Sequence, residues 1–123
     1  VAIGHRLVRK LCEHGRTTYT LTPEERTSLS AALSEELLRQ YKEFSRADGC
    51  AKCNNTGYSR RIGIYEILEV TDAIRQLIMH RANADEIRTT ARKEGMTTML
   101  EDGLAKAGAG VTSIAEILRV IHD

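Results

Sequence analysis

The chain has 123 residues and a mass of 13.7 kDa, with 41% apolar and 28% charged residues. These figures describe one ordinary globular domain and exclude a disordered or fibrous chain. Lys and Arg number 18 against 17 Asp and Glu, a net charge of +1, short of the basic excess by which domains hold nucleic acid through its phosphates. With four Tyr, one Phe and no Trp, a core must rest on Leu, Ile, Val and Ala. No apolar run approaches the ~20 residues of a membrane span, and no signal-peptide pattern opens the chain. Three cysteines cannot all pair with one another, so Cys50-x-x-Cys53 favours metal or redox chemistry over a disulfide framework, in a cytosolic setting.

Val1 to Leu11 (VAIGHRLVRKL) reads as a half-buried strand, with Ile3 and Leu7 on one face and Arg6 and Val8 on the other. Its best partner is Arg61 to Leu68 (RIGIYEIL). A lone strand pair is marginal, so helices must cover it or further partners lie upstream of Val1. Thr22-Pro-Glu-Glu25 is a capping box with Pro at the first helical position. Behind it Leu29, Leu33, Leu37, Tyr41 and Phe44 recur at helical spacing, which predicts one long helix over 23–44. Thr71 or Asp72 opens a short helix through Ile74, Leu77 and Ile78, and Asn83-Ala-Asp-Glu86 opens another that Gly95 stops. A further segment runs from about Thr97 to Lys106 and breaks at Gly108 and Gly110. Ser113-Ile-Ala-Glu116 opens the last helix, with Ile114, Ile117, Leu118 and Ile121 on one face. The predicted fold class is an α/β fragment. A short antiparallel strand pair carries a cysteine-knuckle insertion containing one long helix, and a C-terminal helical bundle follows, with Leu77 and Leu118 expected inside it.

Two clusters could carry chemistry. In the first, Cys12-Glu-His14-Gly15 faces Cys50-Ala-Lys-Cys53-Asn-Asn-Thr-Gly57 across the insertion. A Cys-x-x-Cys knuckle followed by glycine sets two thiolates on one turn, and ligands from a distant segment complete a tetrahedral zinc site. Cys12, Cys50 and Cys53 are the candidate ligands. The fourth is open, with His14 close by as the nearest candidate and a water as the other. The alternative is a buried apolar Cys12, a solvated His14 and a remnant pair at Cys50 and Cys53. In the second cluster, Arg60-Arg61-Ile-Gly-Ile-Tyr-Glu66, arginines beside a strand could bind phosphate but are more simply solvated or paired with Glu66. The chain contains no G-x-x-x-x-G-K-[ST], no G-x-G-x-x-G and no H-E-x-x-H. His5, His14, His80 and His122 are scattered, and no catalytic or nucleotide-binding residues are predicted. The chain by itself is therefore expected neither to bind nor to hydrolyse ATP.

RLVRKLC (Arg6 to Cys12), GCAKCNNTGYSRRIGIYEILEVTD (Gly49 to Asp72) and ADEIRTTARKEGMTTMLEDGLAKAGAGVTSIAEILRVI (Ala84 to Ile121) stand in an order that resembles one known family. It is the C-terminal region of the type II secretion and type IV pilus assembly ATPases, secretion-superfamily motors that work as cytoplasmic hexamers. Cys50, Cys53, Thr56, Gly57, Tyr58, Arg61, Gly63, Tyr65 and Glu66 match the family's second cysteine knuckle and the strand after it. The resemblance implies a RecA-like core upstream, holding ATP and Mg. It implies that 1–11 is the core's last strand, 12–60 the metal-binding insertion, 61–70 a strand and 71–123 a C-terminal helical subdomain. The subdomain would support the homo-hexamer of ATPase subunits and couple it to an inner-membrane platform protein, in the cytoplasm and peripheral to that membrane. No nucleic acid and no transmembrane segment are implied. The chain departs from the family at Gly15, where the first knuckle has cysteine, at His5, where most members have glutamine, and at Arg60, usually glycine. Ala73-Ile-Arg-Gln-Leu-Ile78 also resembles the AIRNLI element of the retraction ATPases, but the knuckle places the chain with the assembly and secretion branch. The reading from a different class is a free-standing zinc-knuckle adaptor that binds protein or nucleic acid. A phosphate loop upstream of Val1 would decide for the motor, an initiator Met there for the adaptor.

Overall fold

The structure, a computed structural model, describes residues 1–122. Asp123, the end of the expected helical segment, lies outside the described residues. The expected strand pair is present: β1 (Ala2–Leu11) runs antiparallel to β4 (Tyr58–Leu68), with His5 opposite Tyr65 and Val8 opposite Ile62. The register breaks near Cys12. Arg9 pairs Arg61 and Leu11 pairs Tyr58, so Lys10 alone faces both Ser59 and Arg60. Arg60 takes up the extra residue with φ +68, the left-handed conformation that a bulge demands and that glycine adopts without strain. A second pair, β2 (Arg16–Tyr19) with β3 (Phe44–Ala47), brings the two halves of the cysteine insertion together.

The long helix expected over 23–44 is two short ones followed by a strand: α1 (Pro23–Ser30), α2 (Glu35–Arg39) and then β3. Thr22 and Glu25 do form the capping box, and Pro23 opens the helix. The break comes from Ser34. Its extended backbone and hydroxyl, which accepts from the Leu37 N–H at 3.2 Å, start a new helix rather than continue the old one. The kink lets Leu29, Leu33 and Leu38 all point inward, and Phe44 leaves helical spacing because its backbone finds Tyr19 to pair with. The helices α3 (Asp72–Met79), α4 (Ala84–Lys93), α5 (Met99–Gly108) and α6 (Ile114–His122) fall close to the predicted positions. Thr71, Asn83 and Thr98 cap the first three through side-chain oxygens. Gly95 and Gly110, at φ +101 and +81, close α4 and α5, with Met96 N–H donating to Ala91 O and Val111 N–H to Lys106 O.

These helices do not form one bundle separate from the insertion. The main core joins Leu29, Leu33, Leu38 and Phe44 of the insertion to Leu104, Ala107, Ile114 and Ile117 of α5 and α6. A smaller cluster of Val8, Ile64 and Val120 fastens α6 to the β1–β4 ribbon. α3 packs on α4 instead, and both Leu77 and Leu118 are half-buried rather than central. α5 is tied to β4 by polar contacts: Asp102 accepts from the Tyr65 N–H at 2.9 Å, and Lys106 donates to Gly63 O at 2.8 Å. The side of the ribbon opposite Val8 carries Ile3, Leu7, Tyr65 and Ile67, each at least 45% exposed.

Candidate metal centre

Three thiols meet where β1 ends. Cys12 follows Leu11 directly, Cys50 ends the loop after β3, and Cys53 closes a single 3-10 turn at Ala51–Cys53. That turn is tight because Asn55 N–H returns to Cys50 O at 2.7 Å, with Asn54 and Asn55 both left-handed at φ +54 and +62. Gly57 then serves both halves of the site. Its N–H donates to Cys53 Sγ at 3.2 Å and its carbonyl accepts from Cys12 N–H at 2.9 Å. No other residue fits there: φ is +79, and a Cβ would lie 2.3 Å from that of Ala47.

Cys12 Sγ stands 3.7 Å from Cys50 Sγ, and Cys50 Sγ 3.5 Å from Cys53 Sγ, with all three sulfurs within 4.8 Å of one another. Sulfurs bound to zinc at about 2.3 Å in a tetrahedron are roughly 3.8 Å apart, so these thiols have the spacing of three of its corners. Cys12 and Cys53 are buried and Cys50 is half-buried. Burial pushes the Cys53 thiol up, but the Gly57 N–H and the neighbouring Cys50 and Cys12 thiols more than offset it and bring it down to about 7. Cys50 is pushed up, first by its hydrogen bond to Cys53 and then by burial. One member of the cluster is thus primed to be the thiolate that a metal needs.

Among the described residues, no histidine or carboxylate joins this group. His14 lies exposed, its Nε2 3.5 Å from Lys52 Nζ. Gly15 is buried, and a Cβ built on it would come within 3.2 Å of Cys53 Sγ. In the second sequence cluster, Glu66 sits 3.6 Å from Arg88 and accepts from the Met99 N–H at 3.3 Å, while Arg60 and Arg61 are exposed.

A lock beside the thiols had no signal in the sequence. Glu116 of α6, 1% exposed, accepts from the Arg9 N–H at 2.7 Å, from Arg9 Nε and Nη2 at 3.0 and 2.8 Å, and from Arg119 Nη2 at 3.0 Å. Arg9 also stacks 4.0 Å over the Tyr58 ring, whose hydroxyl is 2.7 Å from Ser113 Oγ. Thr112 Oγ1 donates to Arg9 O at 2.7 Å, and Leu11 N–H to Val111 O at 2.9 Å. The thiol cluster is therefore built on the same strand end that holds the start of α6.

The family model described as "Type II/IV secretion system protein" matches residues 1–119. The type IV pilus assembly ATPase PilB of Pseudomonas aeruginosa is 40% identical over 121 residues, covering 98% of this chain and 21% of that protein. Type II secretion system protein E of Xanthomonas campestris pv. campestris is 42% identical over 123 residues, again 98% of this chain and 21% of the relative. The type II secretion system ATPase E of Vibrio cholerae is 36% identical over 121 residues, covering 98% and 23%. The chain spans about a fifth of the length of the curated relatives it matches. It belongs to the type II/IV secretion system protein family.

Proposed function

We propose that this chain is the C-terminal subdomain of a cytoplasmic hexameric ATPase that powers type II protein secretion or type IV pilus assembly. The observation that carries this reading is the family match over residues 1–119, and the apolar outer face of the β1–β4 ribbon supports it. Ile3, Leu7, Tyr65 and Ile67 are the kind of surface that a two-stranded ribbon buries when it belongs to a larger sheet or core. On this reading residues 1–11 and 61–70 are strands at the margin of an ATP- and Mg-holding core supplied by the longer protein. Residues 12–60 are the metal-binding insertion, with Cys12, Cys50 and Cys53 as its ligands. The helical segment from residue 71 onward supports contacts between subunits and passes their motion to an inner-membrane platform protein. Among the described residues no helix is long and apolar enough to cross a membrane, in keeping with a peripheral position.

The test uses the full-length protein. Ile3→Asp with Ile67→Asp should abolish assembly into hexamers, read by light scattering, and ATP turnover with it. A variant that assembles and turns over ATP like the wild type overturns the reading. The 123-residue chain alone should retain no ATP in equilibrium dialysis, because its sequence has no phosphate cradle. Nucleotide held by it would point to a free-standing module instead.

A further inference from the structure

We propose that no side chain fills the fourth corner of the thiol site: no histidine or carboxylate among the described residues joins the three sulfurs, His14 turns to Lys52, and Gly15 has no side chain. Cys12, Cys50 and Cys53 then form a three-thiolate site that prefers an ion satisfied by three sulfurs, such as lead(II), to tetrahedral zinc. The inference rests on the metal-binding reading of the insertion. Its geometric basis is the direction in which residues 14 and 15 face. Gly15 O accepts from the N–H groups of Asp48 and Gly49 at 2.8 and 3.0 Å, which pins this stretch against the loop leading to Cys50. Held there, residue 15 has no room for a side chain: a Cβ would lie 2.9 Å from the Gly49 carbonyl carbon and 3.2 Å from both Cys50 N and Cys53 Sγ. Residue 14, one step earlier, points to solvent, where His14 meets Lys52. The same backbone that packs Gly15 against the Cys50 loop turns the imidazole to solvent.

Zinc has no d-electron preference but is almost always four-coordinate in structural sites, so with three thiolates it must take a water or another small ligand. Lead(II) is softer and carries a lone pair that occupies the fourth direction, so three sulfurs suffice. Either divalent ion displaces three thiol protons and leaves a complex of net charge −1. The surroundings suit that charge: Cys12 lines a cleft of about 510 Å³ in which Lys10, Arg16, Lys52 and Arg60 outnumber the one carboxylate, Glu13.

The experiment is competition between zinc and lead(II) for the chain, followed by the sulfur-to-lead charge-transfer absorbance, in wild type, His14→Ala and Gly15→Cys. Lead should displace zinc from the wild type at about equimolar metal or below, and His14→Ala should leave the ratio unchanged. Gly15→Cys should shift the ratio toward zinc by about tenfold or more, as a fourth thiolate completes the tetrahedron. A Cβ at residue 15 would also lie 2.9 Å from the Gly49 carbonyl carbon, so this variant could misfold. X-ray absorption at the zinc edge of the wild type is therefore measured too. Three sulfurs and one oxygen, without imidazole scattering, are expected. Imidazole scattering, or zinc affinity lost in His14→Ala, overturns the inference but leaves the metal-binding reading standing. Failure of the wild type to take up either ion overturns both.

Discussion

Glu116→Gln isolates the lock between β1 and α6. The substitution keeps the shape of the side chain and removes its charge, leaving the Arg9 and Arg119 guanidinium groups with a weaker acceptor. Burial pushes the Glu116 carboxyl up, yet the hydrogen bonds from Arg119 and Arg9 outweigh it and hold the group down at about 2. Set against an ordinary glutamic acid, that depression corresponds to roughly 3 kcal/mol of preference for the charged form. Arg9 and Arg119 are about half exposed, at 51% and 44%, so water screens their side of the interaction and about 2 kcal/mol is the working figure. Because the folded pKa is the lower one, this stabilisation is fully present above the unfolded value near 4.5. It is lost as the pH falls from there toward 2. Urea denaturation of wild type and Glu116→Gln between pH 7 and pH 2.5 measures it. The variant should be less stable by about 2 kcal/mol at pH 7, and the two curves should converge as the pH approaches the lower limit. A constant difference across that range, or none at pH 7, would falsify the claim that a buried carboxylate charge holds α6 to the strand.

Gly57→Ala forces a Cβ against Ala47 at a left-handed backbone position; it should cost about 2 kcal/mol or more by thermal melting, with reduced metal uptake. Arg60→Gly relieves the left-handed φ of +68 at the bulge and should raise stability by up to about 1 kcal/mol, which an unchanged or lowered denaturation midpoint would contradict. Leu104→Ala, in the shared core, should cost about 2–5 kcal/mol, and the half-buried Leu77→Ala clearly less. Equal losses at the two positions would mean that the core does not lie between the insertion and α5.

The features legible in the sequence are those whose physics is local. Thr22-Pro-Glu-Glu25, Thr71 and Asn83 cap helices through atoms three residues away, and Gly95 and Gly110 end helices through their own backbone freedom. The Cys50–Cys53 spacing places two thiols on one turn whatever surrounds it, and β-rich composition marks β1 and β4. The 3.6-residue spacing from Leu29 to Phe44 was also local, and it misled. Such a run is compatible with one helix or with two whose apolar residues converge, and the choice fell to Ser34 and to the strand partner that Phe44 finds in Tyr19. Contacts between distant segments needed the tertiary structure altogether. Arg9 and Glu116 are 107 positions apart, and nothing near either residue announces the other. His14 and Gly15 differ by one step along the chain, too little for spacing to decide which of them faces the thiols. The hydrogen bonds from Asp48 and Gly49 to Gly15 decided it, because they pack that residue against the loop leading to Cys50 and leave His14, one step earlier, facing solvent.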